Sequence, residues 1–479
     1  MFSKVQGINY INNNYRYKKF NEKRKDYLLT TDFSTHIFLT KEEFKSLKRG
    51  KITNQFLFEE LEKKGFILTQ NNINLILNLI QKRYSFLDNA TSLHIVVPTS
   101  RCNLGCTYCF ATPDFIGEDK SKTDMNSNTA KKTIEFIMES PSKASTIEFT
   151  GGEALVRFDL IQEMVLYAKE LNKKYKKDLQ FTIVSNLNLM NEEIATWLIE
   201  NEVSICTSLD GTKEIHNTNR HVRIDKENKN HSIKTFDSVI YWIEKINQMY
   251  KEKNLDKNVP ALLTTTKHSL GKSKEIIDLY QKLGINSIYL RSMGHIGRAT
   301  SKENKPNEYS FDEFKKHYKE ALEYINKLKH NNPQIYDVAN QQFETKILKQ
   351  KPAFNVDFES PWGAATGSLT YFSNGDIYAC HEAIGKKEFK LGNIYTHNFK
   401  TLFQTKETSF TILSSIIEAN PFFDRYVYKP YAGISPIENY FQYKKLQVHP
   451  KKTMKYHEVD FFSSEIFNQL YLDWRTTKK

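Results

Sequence analysis

The chain has 479 residues, of which 39% are hydrophobic, enough for about two to four packed domains. No apolar run approaches the roughly 20 residues of a membrane span, and MFSKVQGINY carries no charged-then-apolar leader, so a cytoplasmic location without a membrane partner is expected. The formal charge of +13 comes mostly from lysines spread through polar segments such as NKKYKKD and HPKKTMK, with no single basic face, which argues against nucleic acid as a partner.

Residues 1–90 read as a small α+β module. INNNYRYKKF, DYLLTTD and THIFLT have the look of short strands, and KEEFKSLKRG, TNQFLFEELEKKG and NNINLILNLIQKRY place apolar residues at helical spacing. This predicts one three-stranded sheet followed by helices. Its edge could accept an extended peptide as a further strand, the competing reading being a structural cap.

From 91 to 305 strand and helix patterns alternate. LHIVVP, TIEFTG, LQFTIVSN, VSICTSLD, PALLTTT and SIYLRS read as strands, separated by amphipathic stretches such as FDLIQEMVLYAKELNKK. Six such βα units predict an α/β fold, a partial (β/α)6 TIM-like barrel, with a doubly wound sheet as the alternative. In both, a ligand sits at the C-terminal ends of the strands.

Residues 306–479 form an α+β extension: two bridging helices, a hairpin GSLTYFSNGDIYACHEA turning at Asn374-Gly375, an irregular stretch from 385, and a closing helix near SSEIFNQLYLDW.

Three of the five cysteines fall in CNLGCTYC, as Cys102, Cys106 and Cys109, directly after the first barrel strand. Scattered and clustered together, five cysteines make no disulfide framework and suggest a reducing compartment and a metal. Structural zinc wants four protein ligands, and no fourth Cys or His stands at a finger-like distance. An iron–sulfur cube held by three thiolates leaves one iron open to a small molecule.

C-x3-C-x2-C followed by an aromatic, on the first loop of a six-unit βα fold, resembles the radical S-adenosylmethionine (SAM) superfamily. The resemblance implies one [4Fe-4S] cluster on Cys102, Cys106 and Cys109, with Tyr108 and Phe110 beside it, and SAM chelated by the open iron. FTGGEAL after the second strand resembles the family's SAM amino-group contact, with Gly151 and Gly152 allowing close backbone approach and Glu153 accepting hydrogen bonds. Ala154 stands where members usually carry proline. Ser185 and Asn186 end strand three and are expected at the ribose, with helix capping as the competing role. Ser208, Asp210 and Gly211, followed by His216 and Arg220, resemble the peptide-modifying branch, and the resemblance implies that Ser208, Asp210 and Arg220 help hold SAM and substrate. Arg291, at the tip of strand six, is expected to pair with a carboxylate of SAM or substrate, or to anchor the C-terminal region; His295 is a weaker candidate. Cys206, inside an apolar strand, reads as a core residue.

The last third resembles the SPASM extension, which in many peptide maturases binds auxiliary clusters, and the nearest likeness is to maturases of His-Xaa-Ser peptide systems. Where that pattern places cysteines this chain has Trp362, Phe423, Tyr426, Ala432 and Ser435; only Cys380 remains. A degenerate, cluster-free domain is expected. Cys380 reads as a core thiol or a hydrogen-atom donor, with His381 as a general base or structural residue and Glu382 as a second candidate.

The resemblance therefore implies an enzyme modifying a ribosomal precursor peptide by crosslinking or epimerisation, an electron donor such as flavodoxin or ferredoxin, and a partner maturase. Competing readings are a radical SAM enzyme acting on RNA or a protein side chain, and a non-catalytic scaffold.

Overall fold

The computed structural model describes every residue except 1–2, 6–7, 88–89, 112–113, 116, 118, 224–234, 354–357 and 479. Two antiparallel three-stranded sheets open the chain: Ser3–Val5, Ile8–Asn12 and Ile67–Leu68 in one, Arg16–Asn21, Asp26–Thr30 and His36–Leu39 in the other. The sequence pattern led to one sheet. The second closes because Ile67–Leu68, too short to show a period, returns to pair with Ile8–Asn12. The expected helices form at Lys41–Lys48, Gln55–Lys63 and Ile73–Tyr84 (α1). Thr40 and Glu43 cap the first of them reciprocally. The module has a core of its own, running from Tyr10 through Phe44 and Phe58 to Ile67.

All six expected strands are present and parallel, in an open sheet: β1 (Leu93–Val96), β2 (Ala144–Phe149), β3 (Asp178–Ser185), β4 (Val203–Ser208), β5 (Ala261–Thr264) and β6 (Leu290–Arg291). SIYLRS divides: Ser287–Ile288 pairs with Tyr336–Asp337, and only β6 continues the sheet. On β2, Ser145, Ile147 and Phe149 are buried while Thr146 and Glu148 are half-buried, so alternate side chains face a helix-packed core and a more open side. Side-chain caps start the intervening helices, Asn126 for Ser127–Met138 and Asn191 for Glu192–Glu200. The short helix α2 (Lys213–Asn219) follows β4.

The C-terminal hairpin forms as expected, from β7 (Ser368–Tyr371) and β8 (Asp376–Tyr378), with Gly375 at φ +84°. It is not separate from the barrel. β7 lies parallel to β1, and Lys390–Asn393 (β9) adds to β8, giving one open nine-stranded sheet ordered β6-β5-β4-β3-β2-β1-β7-β8-β9. Helices Phe311–Leu328, α3 (Val338–Leu348) and α4 (Met454–Thr477) pack behind it, with α4 beginning earlier than the sequence pattern suggested. The stretch read as irregular holds β9 and the short helices Lys406–Ser414 and Pro436–Tyr443, each too brief for a clear periodicity.

Two buried charge clusters tie the ends of the chain together. Asp26 accepts from Tyr471 Oη at 2.6 Å and pairs with Arg475, while Phe467 and Tyr471 of α4 pack on Phe38. Glu359 pairs with Arg83 of α1 at 2.6 Å and with Lys346 of α3 at 3.3 Å, all three buried. Burial lowers the Lys346 ammonium to about 8 against the pull of Glu359. Among the described residues no helix is long and apolar enough to cross a membrane.

Removing the Glu359 carboxylate leaves two like charges buried together. Glu359→Ala is expected to cost about 3–5 kcal/mol in denaturant unfolding, whereas Asp237→Ala, breaking the exposed pair with Lys213, is expected to cost roughly 0–1 kcal/mol. Equal effects would contradict this account.

Candidate functional site

The cysteine loop leaves β1 at the C-terminal edge of the parallel strands and is gripped on three sides. The segment after α2 lies along it: Gly105 N donates to His221 O at 2.8 Å, Thr107 N to Asn219 O at 2.9 Å, and Arg223 N to Asn103 O at 3.1 Å. A Cβ on Gly105 would stand 2.7 Å from the His221 ring, so a side chain there would require that ring to shift. From the β6 side, Arg298 N donates to Cys109 O at 2.9 Å, and Gly297, at φ +63°, would put a Cβ 2.5 Å from the Cys109 and Phe110 carbonyls. From β2, Gly152 N donates to Thr99 O at 3.1 Å and Glu153 N to Arg101 O at 2.8 Å. A Cβ on Gly151 would lie 2.5 Å from Thr99 O, and one on Gly152 would lie 2.5 Å from Ser100 O and collide with Arg101 O. The two glycines thus admit the chain leading into Cys102 as well as bordering the cavity described below.

Donors point at the sulfurs. Leu104 N lies 3.4 Å from Cys102 Sγ, and Arg220 Nη1 lies 3.9 Å from Cys106 Sγ. Burial pushes the Cys102 and Cys106 thiols up, Cys106 to about 11 despite Arg220, so without a metal these two are protonated and metal binding must displace their protons. Among the described residues no three Cys, His, Asp or Glu side chains converge on one metal ion. A cube carries each thiolate on a different iron, so a three-thiol loop with N–H donors aimed at its sulfurs fits an iron–sulfur cluster.

Glu153, Ser185 and Asn186 meet at the ends of β2 and β3. Ser185 Oγ donates to Glu153 Oε1 at 2.7 Å and Asn186 N to Oε2 at 2.8 Å, while the Asn186 amide donates to Asn103 in the cysteine loop at 2.8 Å. Ser185 Oγ also accepts from Leu187 N at 3.0 Å and Asn186 Oδ1 from Asn188 N at 2.9 Å, which are turn bonds; the helix that follows is capped by Asn191, so neither residue has the capping role weighed against ribose binding. Burial raises the Glu153 carboxyl against these donors.

Asp210, with 0% of its surface exposed, accepts from Tyr108 Oη at 2.5 Å, Asn219 Nδ2 at 3.2 Å, and Arg220 Nε and Nη2 at 3.0 and 3.1 Å. Burial pushes its carboxyl up, but Arg220 and His216 hold it below the usual range. Asp210, Arg220 and Tyr108 are therefore bound to one another behind the cysteine loop. The partner of Tyr108 was not legible in the sequence, nor was the grip of residues 219–223.

Strand register places Glu148, Cys206, Ser208 and Arg291 on the same, more open side of the sheet, since Glu148 aligns with Thr182, Val184 with Cys206, Ser208 with Leu262, and Thr264 with Arg291. Cys206 is half-buried there and is not the core residue expected. Arg291 is exposed, and Glu148, unremarked in the sequence, has its carboxyl raised by burial.

A cavity of about 280 Å³ opens beside the loop, bordered by Phe110, Gly151, Gly152 and Gly297 on one side and by His381 and Glu382 of the C-terminal region on the other. The His381 ring stands edge-on to Phe110, centroids 4.8 Å apart. Cys380 does not border this cavity and is buried in the apolar core.

Three thiols at the C-terminal edge of a parallel βα sheet, beside a Gly-Gly-Glu turn, define a sulfur-ligated centre with an adjoining ligand cavity. Residues 96–249 match the model of the radical SAM superfamily, so the chain carries a radical SAM domain, and that superfamily uses a [4Fe-4S] cluster with SAM. A cysteine-type anaerobic sulfatase-maturating enzyme of Clostridium perfringens is 25% identical over 343 residues, 68% of this chain and 83% of that enzyme. The structure of native anSMEcpe with bound AdoMet superposes with a TM-score of 0.62 at 18% identity, covering 79% of this chain and 98% of that one. Streptococcus suis SuiB bound to the precursor peptide SuiA superposes with a TM-score of 0.53 at 15% identity, covering 93% and 98%. At these identities the structural likeness establishes the fold.

Burial lowers the His381 imidazole to about 4, so it is neutral throughout the neutral range. The pH–rate profiles of the native protein and His381→Gln are expected to have the same shape between about pH 5.5 and 8. An inflection near 6.5 that disappears in the variant would contradict the assignment.

Proposed function

We propose that this protein is a radical SAM enzyme that modifies a ribosomally made peptide, using one cluster and no auxiliary centre. When bound, the cluster and SAM supply a 5′-deoxyadenosyl radical able to take hydrogen from an unactivated carbon. Cys102, Cys106 and Cys109 would hold the cluster, with Tyr108, Phe110, Gly151, Gly152 and Glu153 bordering the SAM site. Ser185 and Asn186 fix Glu153, and Asp210 with Arg220 fixes the cysteine loop from behind. Ser208 and Arg291 stand on the open side of the sheet, suited to contacts with SAM or substrate. His381 and Glu382 form the facing wall of the cavity, where they would contact substrate and exclude water. The neutral imidazole offers a hydrogen bond without a charge.

The observation that carries the reading is the three-thiol loop beside a cavity walled by the C-terminal region. A second cavity supports the absence of an auxiliary cluster. Phe423, Tyr426, Ala432 and Ser435, four of the five positions where cysteines were expected, border a space of only about 20 Å³, room for about one water. The fifth, Trp362, is buried. Tyr426 packs on Tyr456 with centroids 4.8 Å apart, and Ser435 caps Pro436–Tyr443. In a crosslinking reaction the electron released from the substrate radical would return to the single cluster or pass to a partner protein; in an epimerisation none is removed, and the radical would instead take up a hydrogen atom.

A peptide substrate is supported by the fold shared with SuiB, a structure bound to a precursor peptide. The N-terminal module offers an exposed apolar row on α1, Ile73, Leu77 and Ile80, suited to a leader segment. The sulfatase-maturating relative favours a second reading, a side chain of a larger protein as the target. A flavodoxin- or ferredoxin-type donor and a partner maturase complete the proposal, working on a protein expected in the cytoplasm.

After anaerobic reconstitution and reduction, 5′-deoxyadenosine is expected to form from SAM and to increase when the substrate peptide is added. Cys102→Ala is expected to abolish it. Unchanged SAM in both proteins would favour the scaffold reading.

A further inference from the structure

Arg220 ends the α2 segment, and its surroundings leave its guanidinium little freedom. Nε and Nη2 are bound to the two oxygens of Asp210 at 3.0 and 3.1 Å, Nη1 is directed at Cys106 Sγ at 3.9 Å, and the guanidinium carbon stands 5.3 Å from the Tyr108 ring centroid. Asp210 is anchored from four directions, by Tyr108, Asn219, Arg220 and the Thr264 backbone N–H at 3.4 Å. The pair is therefore a fixed dipole, its positive end toward one cysteine sulfur and its negative end behind. Only 9% of Arg220 and none of Asp210 is exposed, so solvent and salt screen this dipole poorly.

We propose that Arg220 sets the reduction potential of the cluster held by Cys102, Cys106 and Cys109, and that Asp210 limits how much of its charge the cluster feels. The proposal rests on the single-cluster reading above. Reduction adds one electron to the cluster, and a guanidinium beside one of its thiolates stabilises the added negative charge, raising the potential. Arginine is suited to the task because it stays protonated however deeply it is buried. Asp210, of opposite sign and farther from the sulfur, opposes part of that effect. Leu104 N–H, a donor to Cys102 Sγ, belongs to the backbone and is set by the loop itself. Arg220 donates from a side chain, which substitution can change, and it acts through Cys106 as a positioning and tuning residue.

The test is an EPR-monitored redox titration of the reconstituted full-length protein, without SAM, for the native sequence, Arg220→Gln, Arg220→Lys and Asp210→Asn, with iron and sulfide counted in each. Arg220→Gln is expected to move the midpoint to a more negative potential, Arg220→Lys to move it less, and Asp210→Asn to move it the opposite way. A purely structural role for the pair would give no such reversal of sign. An unchanged midpoint in Arg220→Gln, or a shift of the same sign in Arg220→Gln and Asp210→Asn, would overturn the proposal. Should Arg220→Gln fail to hold a cluster, the sign for Asp210→Asn decides alone. Failure of the native protein to assemble any iron–sulfur cluster would overturn the single-cluster reading and this proposal with it, an outcome read directly from the iron count.

Discussion

Asp210 has no exposed surface, and a carboxylate in that position persists only if donors and a cation surround it. The groups that do so come from three parts of the chain. Tyr108 belongs to the cysteine loop, Asn219 and Arg220 to the end of α2, His216 to the middle of α2, and the Thr264 amide to the end of β5. Satisfying one buried charge therefore brings together the C-terminal edge of the sheet and the segment that carries the thiols. The backbone bonds from residues 219–223 to residues 103–107 follow from the same placement. Function, on this view, depends on a loop held by charge on one side and by glycine-permitted contacts on the others.

The C-terminal region is joined to this site through the sheet itself. β7 extends the parallel strands past β1, so the hairpin that follows it carries His381 and Glu382 to the cavity wall without a hinge between the two. Aromatic packing then fills the positions around Phe423 and Tyr426. On the proposed reading the domain would cover the substrate without holding a second cofactor. The N-terminal module is fastened to α4 through Asp26 and Arg475, and to the same region through Arg83 and Glu359.

Much of this was legible in the sequence because the relevant signals are local. Six short apolar runs separated by amphipathic stretches announced the parallel strands, and C-x3-C-x2-C with Gly-Gly-Glu announced the centre. What escaped were features decided by distant pairing. Ile67–Leu68 became a strand only through a partner more than fifty residues earlier. The union of β7 with β1 joins segments that show no shared pattern. Cys206 sits in an apolar run that suggests a core, yet the parity of its register with Glu148 turns it to the open side. Gly297 carries no local mark, because the backbone that excludes a Cβ there, at Cys109 and Phe110, comes from elsewhere in the chain. Arg220 and Asp210 were legible as site residues, but not that they bind each other and face a cysteine sulfur.

The central claim, one radical cluster under a C-terminal domain that holds none, is tested most directly by iron and acid-labile sulfide per chain after anaerobic reconstitution. The measurement is made on the native protein and on the Cys102→Ala, Cys106→Ala, Cys109→Ala variant. The account predicts about four of each in the native protein and essentially none in the variant. Markedly more in the native protein, or iron–sulfur absorption that survives in the variant, would contradict it.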